Sequence, residues 1–536
     1  MESPTSVLRI SVTVITPQSY SVSRPSDLAQ RILYVSEYVD VIGPNSTMLG
    51  PLVDGGTIVA QTEPACWGPM ITPELHSGHT VTRPVAVEGA AIGDSIAIKI
   101  LGVRILSRAA ASGTEVWKEG SFVHDAFVSK KCPGCGAVNP ESVIAGIGPD
   151  AVRCRACHTP VNAFKPTCGY TLLFDQQRSI GVTLPRTLAE GVARQAYEFG
   201  SIPPKARAHP ALIMALADMP SGILARIRPM VGQCGTTPAR DIPSSHNAGD
   251  LIPLLLDAPH AHAMSREDLG KRTDSHMDVN EVREGTIVIA PVKITGGGVI
   301  VGDVHAMQGD GEIAGHTTDV AAEVTLSVHL IKGLGIDGPL LLPRPEDLPP
   351  LSKMYSAEEL ARAGALASQL GFELHSDVAP IQVVGSGPNI NEAVANGLER
   401  MAALADIGLD ETKNRVTLTG SIEIGRLPGV VHITMLMSLA RLEKLGLASL
   451  TRQQYGIGKP RETLDLLTAR ARPWPRDPYD PHISTELEET GLHVTLGRVF
   501  LVHRQVANEL SRLTSPALRD VGDHRYFYSH VSQDFS

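Results

Sequence analysis

Aromatic side chains make up only 4% of this 536-residue chain, and no apolar run reaches the length a membrane-spanning helix needs. A membrane-spanning helix is therefore not expected. An excess of positive charge is also missing. Lys and Arg number 47 against 57 Asp and Glu, a formal charge of −10, which argues against general nucleic-acid binding because that requires a basic surface. Met1 to Tyr20 lacks the basic segment, apolar run and small-residue cleavage site of a signal peptide, so a cytoplasmic protein is expected. Cysteines are few, seven in all, and four of them fall into a metal-binding pattern, which leaves no disulfide framework. Glycine (50) and proline (39) are plentiful instead, and they predict short strands joined by tight turns rather than a bundle of long helices. A hydrophobic fraction of 43% is ample for a large core.

The pattern along the chain predicts an α+β protein: a β-rich, sandwich- or barrel-like core, a C-terminal α/β segment and an inserted zinc ribbon. Residues 1–49 read as an N-terminal extension, with a strand at Val7–Ile15 and a short helix at Ser26–Tyr38. Residues 50–129 form the first part of the β domain, where Ile96, Ile98 and Ile100 alternate onto one face of a strand. The ribbon occupies 130–160. Residues 161–345 continue the β core, with strands at 285–294, 299–301 and 324–330 joined by the Gly296-Gly297-Gly298 turn; Pro291 suggests an edge or a bulge. In the α/β segment, 346–450, Ser356 and Glu359 form a capping-box signature for a helix ending near Leu370, and Asn389 and Glu392 repeat it. Strands are expected at 380–384 and 415–419 and an apolar helix at 432–445. Residues 451–536 read as a C-terminal arm.

Cys132-Pro-Gly-Cys135 and Cys154-Arg-Ala-Cys157 are two Cys-x-x-Cys knuckles eighteen residues apart. Each two-residue turn points both thiolates at one ion, so the spacing fits a four-cysteine zinc site. A redox pair or a chance pattern is the rival reading, and His158 is an alternative ligand. With four thiolates the coordination sphere is full, so such a site is structural and staples a flap too small for its own core.

The most informative run is Gly302-Asp303-Val304-His305-Ala306-Met307-Gln308-Gly309-Asp310-Gly311-Glu312. Asp303 and His305, two apart at the end of a strand, leave on one face. Three carboxylates, a histidine and an amide within ten residues are costly to bury without a metal or a polar substrate. Ser275-His276-Met277-Asp278 offers a second pair at the same spacing. The bland alternative is a set of turn and strand-end hydrogen bonds.

This run resembles the Gly-Asp-x-His-Ala-x-Gln-Gly-Asp-Gly-Glu signature of the acetamidase/formamidase family. Residues 83–94 are similar to that family's Pro-x-x-Val-Glu-Gly-Ala-x-x-Gly-Asp motif, and Met277-Asp278, Glu284-Gly285-Thr286, Pro291-Val292 and Lys332-Gly333 follow in its order. The likeness spans roughly residues 50–445 apart from the ribbon. It departs at Val304 and Met307, expected to reshape the pocket, and at Ser275-His276, where the family has Gly-Asn.

The resemblance implies hydrolysis of a small linear (primary) amide to carboxylate and ammonia. On this reading a divalent metal, expected to be zinc, is held by Asp278, Asp303 and His305, with His76 and His79 as further candidates. Glu312 is the expected general base and then acid to the leaving amine. Gln308 or backbone N–H groups near Gly309 would stabilise the oxyanion, and Asp310 would order the turn or serve as a second acid/base. Gly309, His276 and Glu88 are candidate substrate contacts, although Glu88 also fits a turn-fixing role. His246, His260 and His262 are expected in solvent, and Cys66, Cys168 and Cys234 as structural thiols. A homo-oligomer, dimer or tetramer, is implied. Two alternatives stand beside this one: a hydrolase of cyclic amides, and an inactive ribbon-bearing scaffold or regulatory subunit.

Overall fold

The computed structural model describes residues 30–64, 72–123 and 129–457. The expected strand at Val7–Ile15, Cys66 and the arm beyond Ile457 lie outside them. The chain is β-rich, as expected, and built on one mixed fourteen-stranded sheet. At its centre Ala322–Ile331 lies antiparallel between Leu49–Thr62 and Ser95–Ile105. Val324, Leu326 and Val328 on it, and Ile96, Ile98 and Ile100 on its neighbour, are all fully buried in the largest core cluster. Gln30–Val35, read in sequence as part of a helix, is a strand parallel to Leu49–Thr62, which itself crosses the boundary expected at residue 49. The strand Ile287–Pro291 runs inside the sheet, between Ser95–Ile105 and Leu340–Leu342, rather than at an edge. Pro291 is tolerated because it ends that strand, two residues beyond Ile289, the last position opposite Leu340–Leu342.

Toward the C-terminus the same sheet continues through Val378–Ser386, Val430–Ser438 and Ser421–Arg426, and helices cover it around a second core. Helix Ala357–Leu370 opens on a complete capping box at Ser356 and Glu359. Helix Ile390–Ala405 starts at Asn389, whose side chain accepts from the Glu392 N–H. This helix lies so close to the sheet that a Cβ on Gly385 would stand 2.7 Å from the Gly397 backbone, which is why both positions are glycine. Two expectations fail here. Residues 415–419 end the helix Leu409–Thr419 instead of forming a strand. Residues 430–438 form a strand, with only Leu439–Lys444 helical in the stretch read as a helix.

A four-stranded sheet made of Ala109–Trp117, Phe164–Phe174, Ile180–Thr183 and Leu224–Arg226 stands apart from the large one. The ribbon rises between its first two strands as the hairpin Ser142–Ile144 with Val152–Cys154. Its four sulfurs lie within 4.8 Å of one another. The Cys132–Cys157 and Cys135–Cys154 separations, 3.5 and 3.9 Å, bracket the about 3.8 Å that a tetrahedral thiolate site requires. Among the described residues no helix is long and apolar enough to cross a membrane.

The early family-like motif and the Lys332-Gly333 pair meet in space. Asp94 accepts from Lys332 Nζ at 2.6 Å and from the Gly333 N–H at 2.9 Å. This is a bolt between turns, and Glu88 lies exposed beside it with no place in the cluster described next.

Candidate active site

Strand Val299–His305 carries Asp303 and His305 into the interior beside Met230–Thr236, and an antiparallel bridge between Gln233 and His276 brings His276 and Asp278 against them. His305 Nε2 lies 3.1 Å from Asp303 Oδ1 and 3.9 Å from Asp278 Oδ1. His276 Nε2 stands 3.0 Å from Asp278 Oδ2 and 3.2 Å from Asp303 Oδ2. His79 reaches the same centre, with its Nε2 3.4 Å from Asp303 Oδ1. Two groups of potential metal ligands result, Asp278 with Asp303 and His305, and His79 with His276 and Asp303. All five side chains are buried.

Backbone strain accompanies the cluster. Asp278, Asp303 and Glu312 all sit at positive φ, 50°, 54° and 42°. Residues with a Cβ rarely adopt this conformation, and it recurs where a site is held rigidly for function.

The histidines are anchored from behind. The Ser245 carbonyl lies 2.9 Å from His276 Nδ1, and Gln308 Oε1 lies 2.9 Å from His305 Nδ1. Both acceptors take the Nδ1–H, which turns each Nε2 toward the carboxylates, the orientation a metal-ligating histidine needs. Gln308 spends its amide on the Asp278 carbonyl at 2.7 Å and on the Gly425 carbonyl at 3.3 Å. It has no donor left for an oxyanion, so it orients His305 and Asp278 instead.

Sequence reading missed several members of the centre. Arg426, at the end of Ser421–Arg426, lies 2.6 Å from Asp278, 3.0 Å from Glu312 and 2.7 Å from Asp250. Asp319 lies 3.2 Å from His305 Nε2. Gly232 faces the pair of aspartates, and a Cβ there would meet Asp278 Oδ1 at 2.3 Å and Asp303 Oδ2 at 2.7 Å. The available signals were faint: a glycine inside a strand, and an arginine in the Gly-Arg-Leu-Pro-Gly run of residues 425–429.

Other expected residues lie elsewhere. His76 is partly exposed and pairs with Asp40 at 3.2 Å. Asp310 is exposed and accepts a hydrogen bond from Asn280, and Gly309 beside it has open space around it. These two occupy the outer turn of the signature, whose glycines let Glu312 fold back to the interior while Asp310 stays in solvent. Val304 packs in the main core rather than lining a pocket. His246 is buried, not solvated. The thiol of Cys234 is pushed up to about 12 by burial, which makes it an unreactive core group, whereas Cys168 is exposed.

Charge follows geometry. Burial lowers His79 to about 3, the nearby Asp303 opposing it. Burial works the same way on His276, but the Asp278 charge and hydrogen bonds to both aspartates prevail and raise it to about 10. Burial pushes the Glu312 carboxyl well above the usual range despite Arg426, and raises Asp319 to about 6 against the pull of His305. Among the described residues Asp250, Asp278 and Glu312 gather round Arg426, and Asp303 and Asp319 lie against His305. Asp278 Oδ1, which has no hydrogen-bond partner among the described residues, and the space that Gly232 keeps clear beside it and Asp303 fit a bound cation.

The fold and this centre together define a β-rich protein with a buried carboxylate–imidazole cluster. The Acetamidase/Formamidase family model matches residues 55–440, and the chain belongs to that family. It is an amidohydrolase by that membership. Among solved structures it is similar to a predicted acetamidase/formamidase of Thermoanaerobacter tengcongensis, at 15% identity and TM-score 0.43 over 78% of this chain and 98% of that one. An acetamidase of Bacillus halodurans matches at 15% identity and TM-score 0.42, over 77% and 99% of the two chains. A gamma lactamase of Delftia acidovorans matches at 15% and 0.33, over 75% and 89%. No curated protein matches the chain.

Proposed function

We propose that this chain hydrolyses a small linear primary amide to carboxylate and ammonia, with a divalent metal, zinc by preference, at the buried cluster. The observation that carries the reading is the convergence of Asp278, Asp303 and His305 within 4.8 Å, with Asp303 shared by His79 and His276. Imidazole nitrogens mixed with carboxylate oxygens suit zinc or manganese. Bound there, the metal supplies Lewis-acid polarisation of the carbonyl and a more acidic water.

The chain's own groups account for the rest. Glu312, whose carboxyl burial pushes well above the usual range and which lies 3.0 Å from Arg426, is placed to give a proton to the departing amine, which leaves only when protonated. Arg426 holds Asp278 and Glu312 in position and offsets charge that accumulates on the reacting carbonyl. Gln308 and the Ser245 carbonyl fix the two imidazoles, so no reorganisation is required at the moment of reaction. The four-cysteine ribbon is taken as a separate structural zinc site. The protein is taken as cytoplasmic and as a homo-oligomer, dimer or tetramer, which light scattering would check.

The test is a metal analysis of wild type and of Asp303→Ala, alongside ammonia release from formamide and acetamide. The reading requires metal beyond the ribbon's in wild type, its loss with Asp303→Ala, and ammonia as product. A ring-opened acid that retains its nitrogen would move the substrate to cyclic amides. No turnover of either class, with the cluster metal absent, would end the hydrolase reading.

A further inference from the structure

The ribbon is tied to the catalytic cluster. Lys130, at its base, is 2% exposed, and its ammonium donates to the Leu75 carbonyl at 3.2 Å. Ser142, which opens the ribbon's hairpin, donates its backbone N–H to Glu74 Oε2 at 3.0 Å. Glu74 and Leu75 belong to the segment that turns at Ser77-Gly78 and delivers His79 to Asp303. No strand ladder supports residues 72–80, so side-chain bonds hold them. Ser77 fastens the inner end to Ser244 and Ser245, and the ribbon fastens the outer end. The sheet beneath the ribbon grips a second segment of the site. Ser112 and Glu115 hold the two ring nitrogens of His316 at 3.2 and 2.9 Å, between Glu312 and Asp319.

The ribbon buries Cys132, Ala151, Val152 and Cys154 in a cluster shared with Ala109, Leu212 and Ile213 of the body, and a metal held by the four thiolates would close its two knuckles over that contact. Burial of a lysine ammonium is tolerated only while its donors are used. We propose that Glu74 and Lys130 are positioning residues through which the metal-closed ribbon fixes the segment presenting His79, so that release of the ribbon's metal disorders the catalytic cluster without touching it. The proposal rests on His79 belonging to the site described above.

The experiment uses the full chain and hydrogen exchange read by mass spectrometry over residues 72–80, with 322–331 as internal control. Glu74→Ala leaves all four cysteines intact. It is expected to raise exchange in 72–80 about tenfold, to leave the control unchanged, and to lower kcat roughly 10- to 100-fold at constant KM. Glu74→Gln keeps an acceptor oxygen for the Ser142 N–H and is expected to restore both. A mercurial, which attacks thiolates and spares a cluster that has none, is expected to reproduce the alanine phenotype in wild type as the ribbon's metal is released. Unchanged exchange in 72–80 after Glu74→Ala or after the mercurial overturns the proposal. Should wild type turn over no amide, the hydrolase reading fails, while the exchange measurements still decide whether the tether exists.

Discussion

Gly232 faces Asp303 across two paired strands, and a methyl group added to it would stand 2.7 Å from Asp303 Oδ2 and 2.3 Å from Asp278 Oδ1. A hydrogen in place of a side chain keeps that space open. Gly232→Ala is therefore expected to abolish metal binding at the cluster and to lower turnover by about 100-fold or more. Its cost to stability is expected to be modest, about 1–3 kcal/mol, as for other overpacked sites. Metal content and chemical denaturation measured on one preparation would separate the two effects. A variant that binds metal normally would show that the space is not used.

Arg426 is the counter-charge for Asp250 and Asp278 and lies 3.0 Å from Glu312. Arg426→Met leaves buried carboxyls without it, and a loss of about 3–5 kcal/mol is expected, with activity lost as well. Arg426→Lys is not expected to rescue, because an ammonium lacks the planar fork that reaches several partners at once. Urea denaturation at neutral pH checks the first expectation. Wild-type stability in the methionine variant would mean that the carboxyls accommodate themselves by protonation.

Gln308 distinguishes two mechanisms. As a group that orients His305 and Asp278, its replacement by alanine is expected to weaken cluster metal affinity roughly 10- to 100-fold. As an oxyanion donor it would instead lower kcat and leave affinity alone. A chelator competition titration on Gln308→Ala reads the difference directly.

Glu63 supplies a pH dependence remote from the chemistry. Burial pushes its carboxyl from 4.5 up to about 7, against hydrogen bonds from the Arg207 and Ala208 backbone. Between those values the folded chain holds a proton that the unfolded chain has released. Its contribution to stability is therefore full below pH 4.5 and is lost as pH rises through about 7. Glu63→Gln removes this dependence and is expected to be more stable than wild type above pH 7, by on the order of 3 kcal/mol at most. Denaturation midpoints at pH 5 and pH 8 provide the comparison; a variant equal to wild type at both would show the carboxyl ionised throughout.

Much of this molecule was legible before any coordinates. The period-two isoleucines of Ser95–Ile105, the Ser356 capping box and the two cysteine knuckles each rest on interactions between residues close in sequence. Asp303, His305 and Glu312 stood out as a compact run of side chains costly to bury, and the family resemblance of that run and of the Met277-Asp278 segment turned it and Asp278 into a candidate site. Val430–Ser438 misled because it is a strand buried on both faces, which shows no alternation and imitates a buried helix. Residues 415–419 alternate like a strand, yet Thr412 and Val416 share one buried face of a helix whose acidic first turn favours that start. Arg426, Asp250, Asp319 and Gly232 were not legible, since each acquires meaning only from partners distant along the chain.

That distance has a consequence for how the protein is made. Arg426 pairs with Asp278 across 148 positions of sequence, and the strand that bears it emerges from the ribosome long after the acidic groups it neutralises. Until Ser421–Arg426 docks, Asp250 and Asp278 lack the guanidinium that pairs with them in the folded chain. The cluster is thereby completed only after residue 426 has been made, and a chain stopped short of residue 421 would retain its aspartates without that partner.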